Sequence, residues 1–175
     1  VRDYAPGALY DRLGYVTQKA VLFSGSIEDN VLFGESAAEQ TEETAAAAIE
    51  AAQAKEFVDK LPEGTDYHIA QLGRNVSGGQ KQRLAIARAL ARGAEILVFD
   101  DSFSALDYKT DAALRGELSR RFADTTKVIV AQRISSIRHA DEIIVLDRGE
   151  AVGIGTHDEL MRTCRVYQEI ATSQL

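Results

Sequence analysis

The sequence predicts an α/β domain, a mainly parallel sheet flanked by helices with an added helical segment. Three observations carry this: apolar strands alternate with helical patterns along the chain, Ile96 to Phe99 (ILVF) is a continuous apolar run, and Ser77 opens a long helix-forming stretch. Alternation of this kind implies βα units with ligands gathered at the carboxyl ends of the strands. An apolar run without polar interruption is what a strand covered on both faces needs.

The elements follow in order. Arg12 to Gln18 (RLGYVTQ) reads as a short strand feeding a loop, with Gln18 at its end. Ser26 is an N-cap before two acids and an apolar face, giving a short helix closed by Gly34. Glu42 to Leu61 is rich in alanine and glutamate and predicts one longer helix, stopped by Pro62 to Gly64. Ser77-Gly78-Gly79-Gln80 has the Ser-x-x-Gln form of a capping box and begins a helix ending near Gly93. After the ILVF strand, Asp107 to Phe122 predicts an amphipathic helix. Lys127 to Ala131 and Glu142 to Leu146 predict two more buried strands, and Asp147 to Glu150 turns into Ala151 to Ile154.

Composition narrows the function. The 175 residues are 45% hydrophobic, enough for one domain with a core, and the net charge of -7 argues against a generally basic nucleic-acid surface. One cysteine, Cys164, forms no internal disulfide, and His68, His139 and His157 are not spaced as a zinc site. No apolar run approaches the length that crosses a bilayer. The only methionine is Met161, so Val1 is read as a cut point or processed end of a longer protein.

Chemistry concentrates at two places. The glycines and hydroxyl of Ser77 to Gln80 sit where unpaired N–H groups of a helix start favour an anion, with phosphate as the natural ligand and a plain helix cap as the bland alternative. Asp100 ends an apolar strand, from which a carboxylate holds magnesium beside a nucleotide phosphate; Asp101 follows at once, and the bland alternative is a solvated strand end.

Taken in order, these segments resemble the ATP-binding cassette (ABC) ATPases, P-loop NTPase-like domains, and closely resemble those of multidrug and lipid exporters. Gln18 in YVTQKAVLFSGSIEDNVLFG looks like the Q-loop glutamine, VSGGQKQRLAIARAL like the signature and its helix, ILVFD like the Walker B strand, SALD (Ser104 to Asp107) like the D-loop, and GTHDEL is a further exporter segment. The resemblance implies ATP and Mg2+ as cofactors. It gives ATP-binding roles to Gln18, Ser77, Gly78, Gly79, Gln80, Asp100 and Asp107, with Gln18 and Asp100 toward magnesium. It also divides the chain into a helical, signature-bearing part at about 19–92 and an α/β core and C-terminal region at 1–18 and 93–175. The implied partners are a second nucleotide-binding domain, paired head to tail, and the coupling helices of a transmembrane domain docking between Ser26 and Asn75. The implied location is the cytoplasmic face of the inner membrane, with no nucleic acid bound.

Two positions depart from the family. Asp101 stands where glutamate usually positions the attacking water, and Gln132 in VIVAQRISSI stands where the switch histidine is usual. Asp101 is one methylene short, and Gln132 neither carries positive charge nor shuttles a proton. With the signature intact apart from Val76, the expectation is a degenerate catalytic site in a heterodimer, this chain completing its partner's site. Gln71 falls at the glutamate that exporters carry before the signature, with Gly73 retained. A DNA-repair ATPase is disfavoured because the stretch from Gln18 to Ser77 is too short for a coiled-coil insertion. The resemblance leaves open a soluble translation-type ATPase and a non-hydrolysing regulatory subunit.

The phosphate-cradling sequence G-x-x-x-x-G-K-[ST] does not occur, and the resemblance places it upstream. The 175-residue chain alone is therefore expected to bind ATP weakly or not at all; micromolar affinity in a calorimetric titration would contradict this.

Overall fold

The computed structural model describes residues 2–34 and 39–174. Val1, expected to be a cut point, and residues 35–38, inside the region assigned to membrane docking, lie outside them. The chain forms two compact units, one running to Val130 and the other starting at Ala131.

In the first unit, α1 (Pro6–Tyr10) leads into β1 (Leu13–Val16), and the small strand β2 (Gly25–Ser26) into α2 (Ile27–Val31). Helices α3 (Glu42–Ala51) and α4 (Lys55–Val58) follow, then β3 (His68–Ile69), α5 (Gly78–Ala91), β4 (Ile96–Asp100), α6 (Tyr108–Arg121) and β5 (Thr126–Val130). Strands β1, β4 and β5 make a parallel sheet in the order β1-β4-β5, with Val16 opposite Phe99 and Asp100 opposite Val130. Because parallel strands all point one way, the residues that follow β1 and β4 emerge at the same edge. Strands β2 and β3 pair antiparallel.

The core behind this sheet is built by α5. Its Leu84, Ile86, Ala87 and Leu90 are buried together with Ile27 of α2, Ala48 and Ile49 of α3, and Leu97 and Phe99 of β4. Alanines on α3 and α5 let the two helices approach closely. Gly14 of β1 is needed for a similar reason: a Cβ there would lie 2.7 Å from Leu97 Cδ2 and 2.9 Å from the Ala89 carbonyl oxygen.

Three expectations change. The helix over Glu42 to Leu61 is two helices, since α3 ends at Ala51 and Gln53 takes a left-handed φ of 58°. Ala54 N–H donates to the Ile49 carbonyl at 2.9 Å and Gln53 N–H to that of Glu50 at 3.0 Å, the double bond pattern of a Schellman stop with glutamine in the usual glycine place. The Arg83 guanidinium braces the break by donating to the Gln53 carbonyl at 2.8 Å. Strand β5, expected buried, leaves Val128 and Val130 exposed, the alternating pattern of a strand with one face uncovered among the described residues.

The third change lies in the second unit. The strand expected over Glu142 to Leu146 is β6 (Ile143–Asp147), which makes the expected turn into β7 (Glu150–Gly155) and pairs antiparallel with it, but is not buried on both faces. Ile143 and Val145 face a small core with Leu160, Cys164 and Tyr167, while Ile144 and Leu146 are exposed, as expected of a sheet with one open face. The turn between the strands puts Arg148 and Gly149 at positive φ, the geometry of a tight hairpin. Helix α7 (Ile134–Ile137) precedes the hairpin, and α8 (His157–Thr163) and α9 (Arg165–Thr172) follow it. The GTHDEL segment starts α8 with a capping box between Thr156 and Glu159. Among the described residues no helix is long and apolar enough to cross a membrane.

Two expected outcomes follow from the packing of the first unit. Gly14→Ala forces its methyl against a backbone oxygen and lowers stability by about 1–3 kcal/mol, read from denaturant unfolding. Asp107 caps α6, and hydrogen bonds from the Thr110 hydroxyl and amide hold its carboxyl below the usual aspartate range. Its charge therefore stabilises the fold above the unfolded-state pKa, and that contribution is lost as pH falls through the depressed native value. The melting-temperature margin over Asp107→Asn is thus full at neutral pH and vanishes in acid; a margin independent of pH would contradict the assignment.

Candidate nucleotide site

Strand β1 delivers Gln18 and strand β4 delivers Asp100 and Asp101 to the same edge of the parallel sheet. After Val16 the chain turns, with the Thr17 hydroxyl donating to the Lys19 carbonyl at 2.8 Å. After Asp100 it turns again. Ser102 is fully buried, and its hydroxyl donates to the Val16 carbonyl at 3.0 Å, tying the end of β4 to the end of β1.

Between these turns the side chains meet. Gln18 Nε2 donates to Asp101 Oδ2 at 3.2 Å, and the Tyr15 hydroxyl donates to Asp100 Oδ2 at 3.0 Å. The bond to Asp100 pushes the Tyr15 phenol up from its ordinary value, because the carboxylate disfavours a phenolate beside it. Asp101 has a φ of 45°, a left-handed conformation that aspartate tolerates better than most side chains. It is held there from both sides: its N–H donates to the Val130 carbonyl at 2.9 Å, and its carbonyl accepts from the Ser104 hydroxyl at 2.8 Å.

This donor set suits magnesium. With the Gln18 amide donating through Nε2, its oxygen is the end that would meet a cation, and Asp100 would add a carboxylate. One or two such hard oxygens, completed by water and phosphate oxygens, are what magnesium ordinarily takes from a protein in nucleotide sites. Among the described residues no group of three or more His, Cys, Asp or Glu is arranged to hold a metal by itself.

The second locus is the start of α5. Ser77 Oγ accepts from the Gln80 amide at 3.3 Å, and Gln80 Oε1 accepts from the Ser77 amide at 2.8 Å, so the capping box is closed. The Gln80 side chain is thereby occupied by the cap. The amides of Gly78 and Gly79 belong to the first turn, which has no intrahelical acceptor, and the Ser77 hydroxyl proton is free to donate. Ser77 and Gly78 are exposed or nearly so at the helix mouth. Gly79 lies against the D-loop segment, where a Cβ would sit 3.4 Å from the Ala105 carbonyl. Asp107, at the end of that segment, caps α6, its carboxylate accepting from Thr110 Oγ1 at 2.6 Å.

Gln132 belongs to the second unit, where its side chain is exposed and its carbonyl accepts from Gln174 Nε2 at 2.7 Å. Gln174 also accepts from the Ile134 amide at 2.8 Å, clipping the start of α7. Sequence reasoning missed Tyr15, Ser102 and Gln174, together with Gln82, whose buried amide donates to the Thr17 carbonyl at 3.3 Å. Tyr15 was within reach: an outward strand position opposite Val98 points toward the side chain two residues on, at Asp100.

Comparison with known proteins agrees with this geometry. The model of the ABC transporter family matches residues 4–104, more than half of the chain. An uncharacterized ABC transporter ATP-binding protein of Mycobacterium tuberculosis is 45% identical over 175 residues, covering 99% of this chain and 30% of its own length. An ATP-dependent lipid A-core flippase of Xanthomonas oryzae is 39% identical over 170 residues, 97% of this chain and 29% of its own. The solved structure of a bacterial Atm1-family ABC exporter with ATP bound superposes with a TM-score of 0.90 at 35% identity, over 96% of this chain and 29% of that one. The chain thus spans about 30% of the length of these relatives. Gln18 bonded to Asp101 beside Asp100, the capped glycine start of α5 and these likenesses together make the chain a member of the ABC transporter family and part of its ATP-binding domain.

Proposed function

We propose that this chain is the C-terminal part of the ATP-driven motor of a membrane exporter, and that MgATP is held between two such domains paired head to tail. The observation that carries it is the meeting of Gln18, Asp100 and Asp101 at the ends of two parallel strands. In this reading Asp100 and Gln18 face the magnesium ion. The Ser77 hydroxyl and the Gly78 and Gly79 amides face the terminal phosphate of a nucleotide held by the partner, with Gln80 closing the cap and Asp107 anchoring the D-loop. Residues 19–92 are the helical part bearing the signature, and 1–18 with 93–175 are the α/β core and C-terminal region. The likeness to a lipid A-core flippase and to an ATP-bound exporter supports export at the cytoplasmic face of the membrane, through coupling helices seated on the Ser26 to Asn75 region.

We further infer that the site on this chain hydrolyses slowly. Asp101 is one methylene shorter than glutamate, and its carboxylate is engaged by Gln18 at 3.2 Å. A displacement of about 1 Å from the attacking water costs on the order of a hundredfold in rate. Gln132 supplies neither charge nor a proton. An impaired site beside an intact signature suits a heterodimer, in which this chain completes a competent site on its partner.

In the full-length protein purified with its partner chain, Asp101→Glu combined with Gln132→His is expected to raise ATP turnover at this site. No increase would show that the defect lies elsewhere. A homodimer with full turnover from the unsubstituted protein would defeat the heterodimer reading.

A further inference from the structure

Helix α5 is attached to the segment that follows β1 at two levels. Near its start Gln82 bonds the carbonyl of Thr17, the residue before Gln18. In its last turn Arg88 uses all three guanidinium nitrogens: Nε donates to the Asn30 carbonyl at 2.7 Å, Nη2 to Asn30 Oδ1 at 3.0 Å and Nη1 to the Val21 carbonyl at 3.0 Å. Asn30 is 1% exposed and closes the segment on itself, accepting from the Phe23 amide at 2.8 Å and donating to the Phe23 and Ser26 carbonyls at 2.9 Å.

On the outer side of this clamp lie two rings. The Arg88 Cζ is 5.1 Å from the Phe23 ring centroid and 5.8 Å from that of Phe33, and the rings stack on each other at 4.3 Å. Phe23 and Phe33 remain 43% and 52% exposed, with Val21 beside them at 48%. A half-buried planar cation bonded through all three of its nitrogens thus supports an exposed aromatic face from behind. Lysine cannot replace it, since one ammonium lacks the rigid fork that meets three acceptors at once. The helix from Ser77 to Arg88 spans about 16 Å, short enough to move as a rigid rod.

We propose that Arg88 is a positioning residue that joins the Phe23–Phe33 face and helix α5 into one body, so that a displacement imposed on that face is delivered to Ser77 at the helix start. This rests on the reading of the chain as an exporter ATPase, in which the membrane part acts on this region and Ser77 meets the nucleotide. Arg88 touches no nucleotide, so its loss alters how often Ser77 is correctly placed and not how ATP is bound.

The test uses the full-length protein with its partner chain, unsubstituted and as Arg88→Lys. ATP turnover is measured alongside hydrogen exchange over residues 21–33 and 77–83, with and without ATP. The expected result is a fall of about tenfold in kcat with an unchanged KM for ATP, faster exchange over 21–33, and reduced ATP-induced protection over 77–83. Looser exchange over 21–33 with full kcat and full protection at 77–83 would reduce Arg88 to a local brace and overturn the proposal. If Arg88→Lys does not fold, Phe23→Leu, which leaves every hydrogen-bond acceptor of Arg88 in place, is expected to give the same split in smaller measure, and no split would overturn it equally. Absence of ATP-induced protection at 77–83 in the unsubstituted protein would instead overturn the functional reading, and the proposal with it.

Discussion

Parallel pairing of β1 with β4 is the constraint on which the rest depends. Strands that run together end together, so Gln18 and the two aspartates arrive at one edge although they lie far apart along the chain. The buried Ser102 hydroxyl, bonded to the Val16 carbonyl, fixes that edge where the backbone ladder stops. A slip of one residue in this register would turn Asp100 away from Tyr15 and bring Gly14, the residue that fits under Leu97 and the Ala89 carbonyl, out of its slot. Packing and chemistry therefore select the same alignment.

Elements whose signals are local were legible in the sequence. The Ser77 capping box, the Ser26 cap and the ILVF strand stand where residue type and spacing place them, because caps and apolar runs depend on near neighbours. The stop after Ala51 was not legible: it uses glutamine in a left-handed conformation that glycine ordinarily signals, and Arg83 from a distant helix braces it. Strand β6 shows the other limit. The turn at Asp147 to Glu150 was readable, but an apolar run such as EIIVL fits a strand buried on both faces and one with an open face equally well, and only what packs against it distinguishes them.

The site divides in the same way. Gln18, Asp100 and Asp101 could be named from order along the chain, but that Gln18 bonds Asp101 rather than Asp100 is a property of two turns meeting in space. Tyr15, Ser102 and Gln82 escaped notice because each works through a backbone or carboxylate partner distant in sequence. Arg88 reads as one more polar residue on an amphipathic helix until its three acceptors are seen.

The backbone at Asp101 carries a consequence for how such a position drifts. Its φ of 45° is held by Val130 on one side and Ser104 on the other, so whichever side chain occupies the position inherits that geometry. Aspartate is among the non-glycine residues that accept a left-handed conformation most readily, and glutamate is not. An aspartate here therefore sits in this geometry with less backbone strain than a longer acidic side chain would carry, and with one methylene less reach beyond the turn.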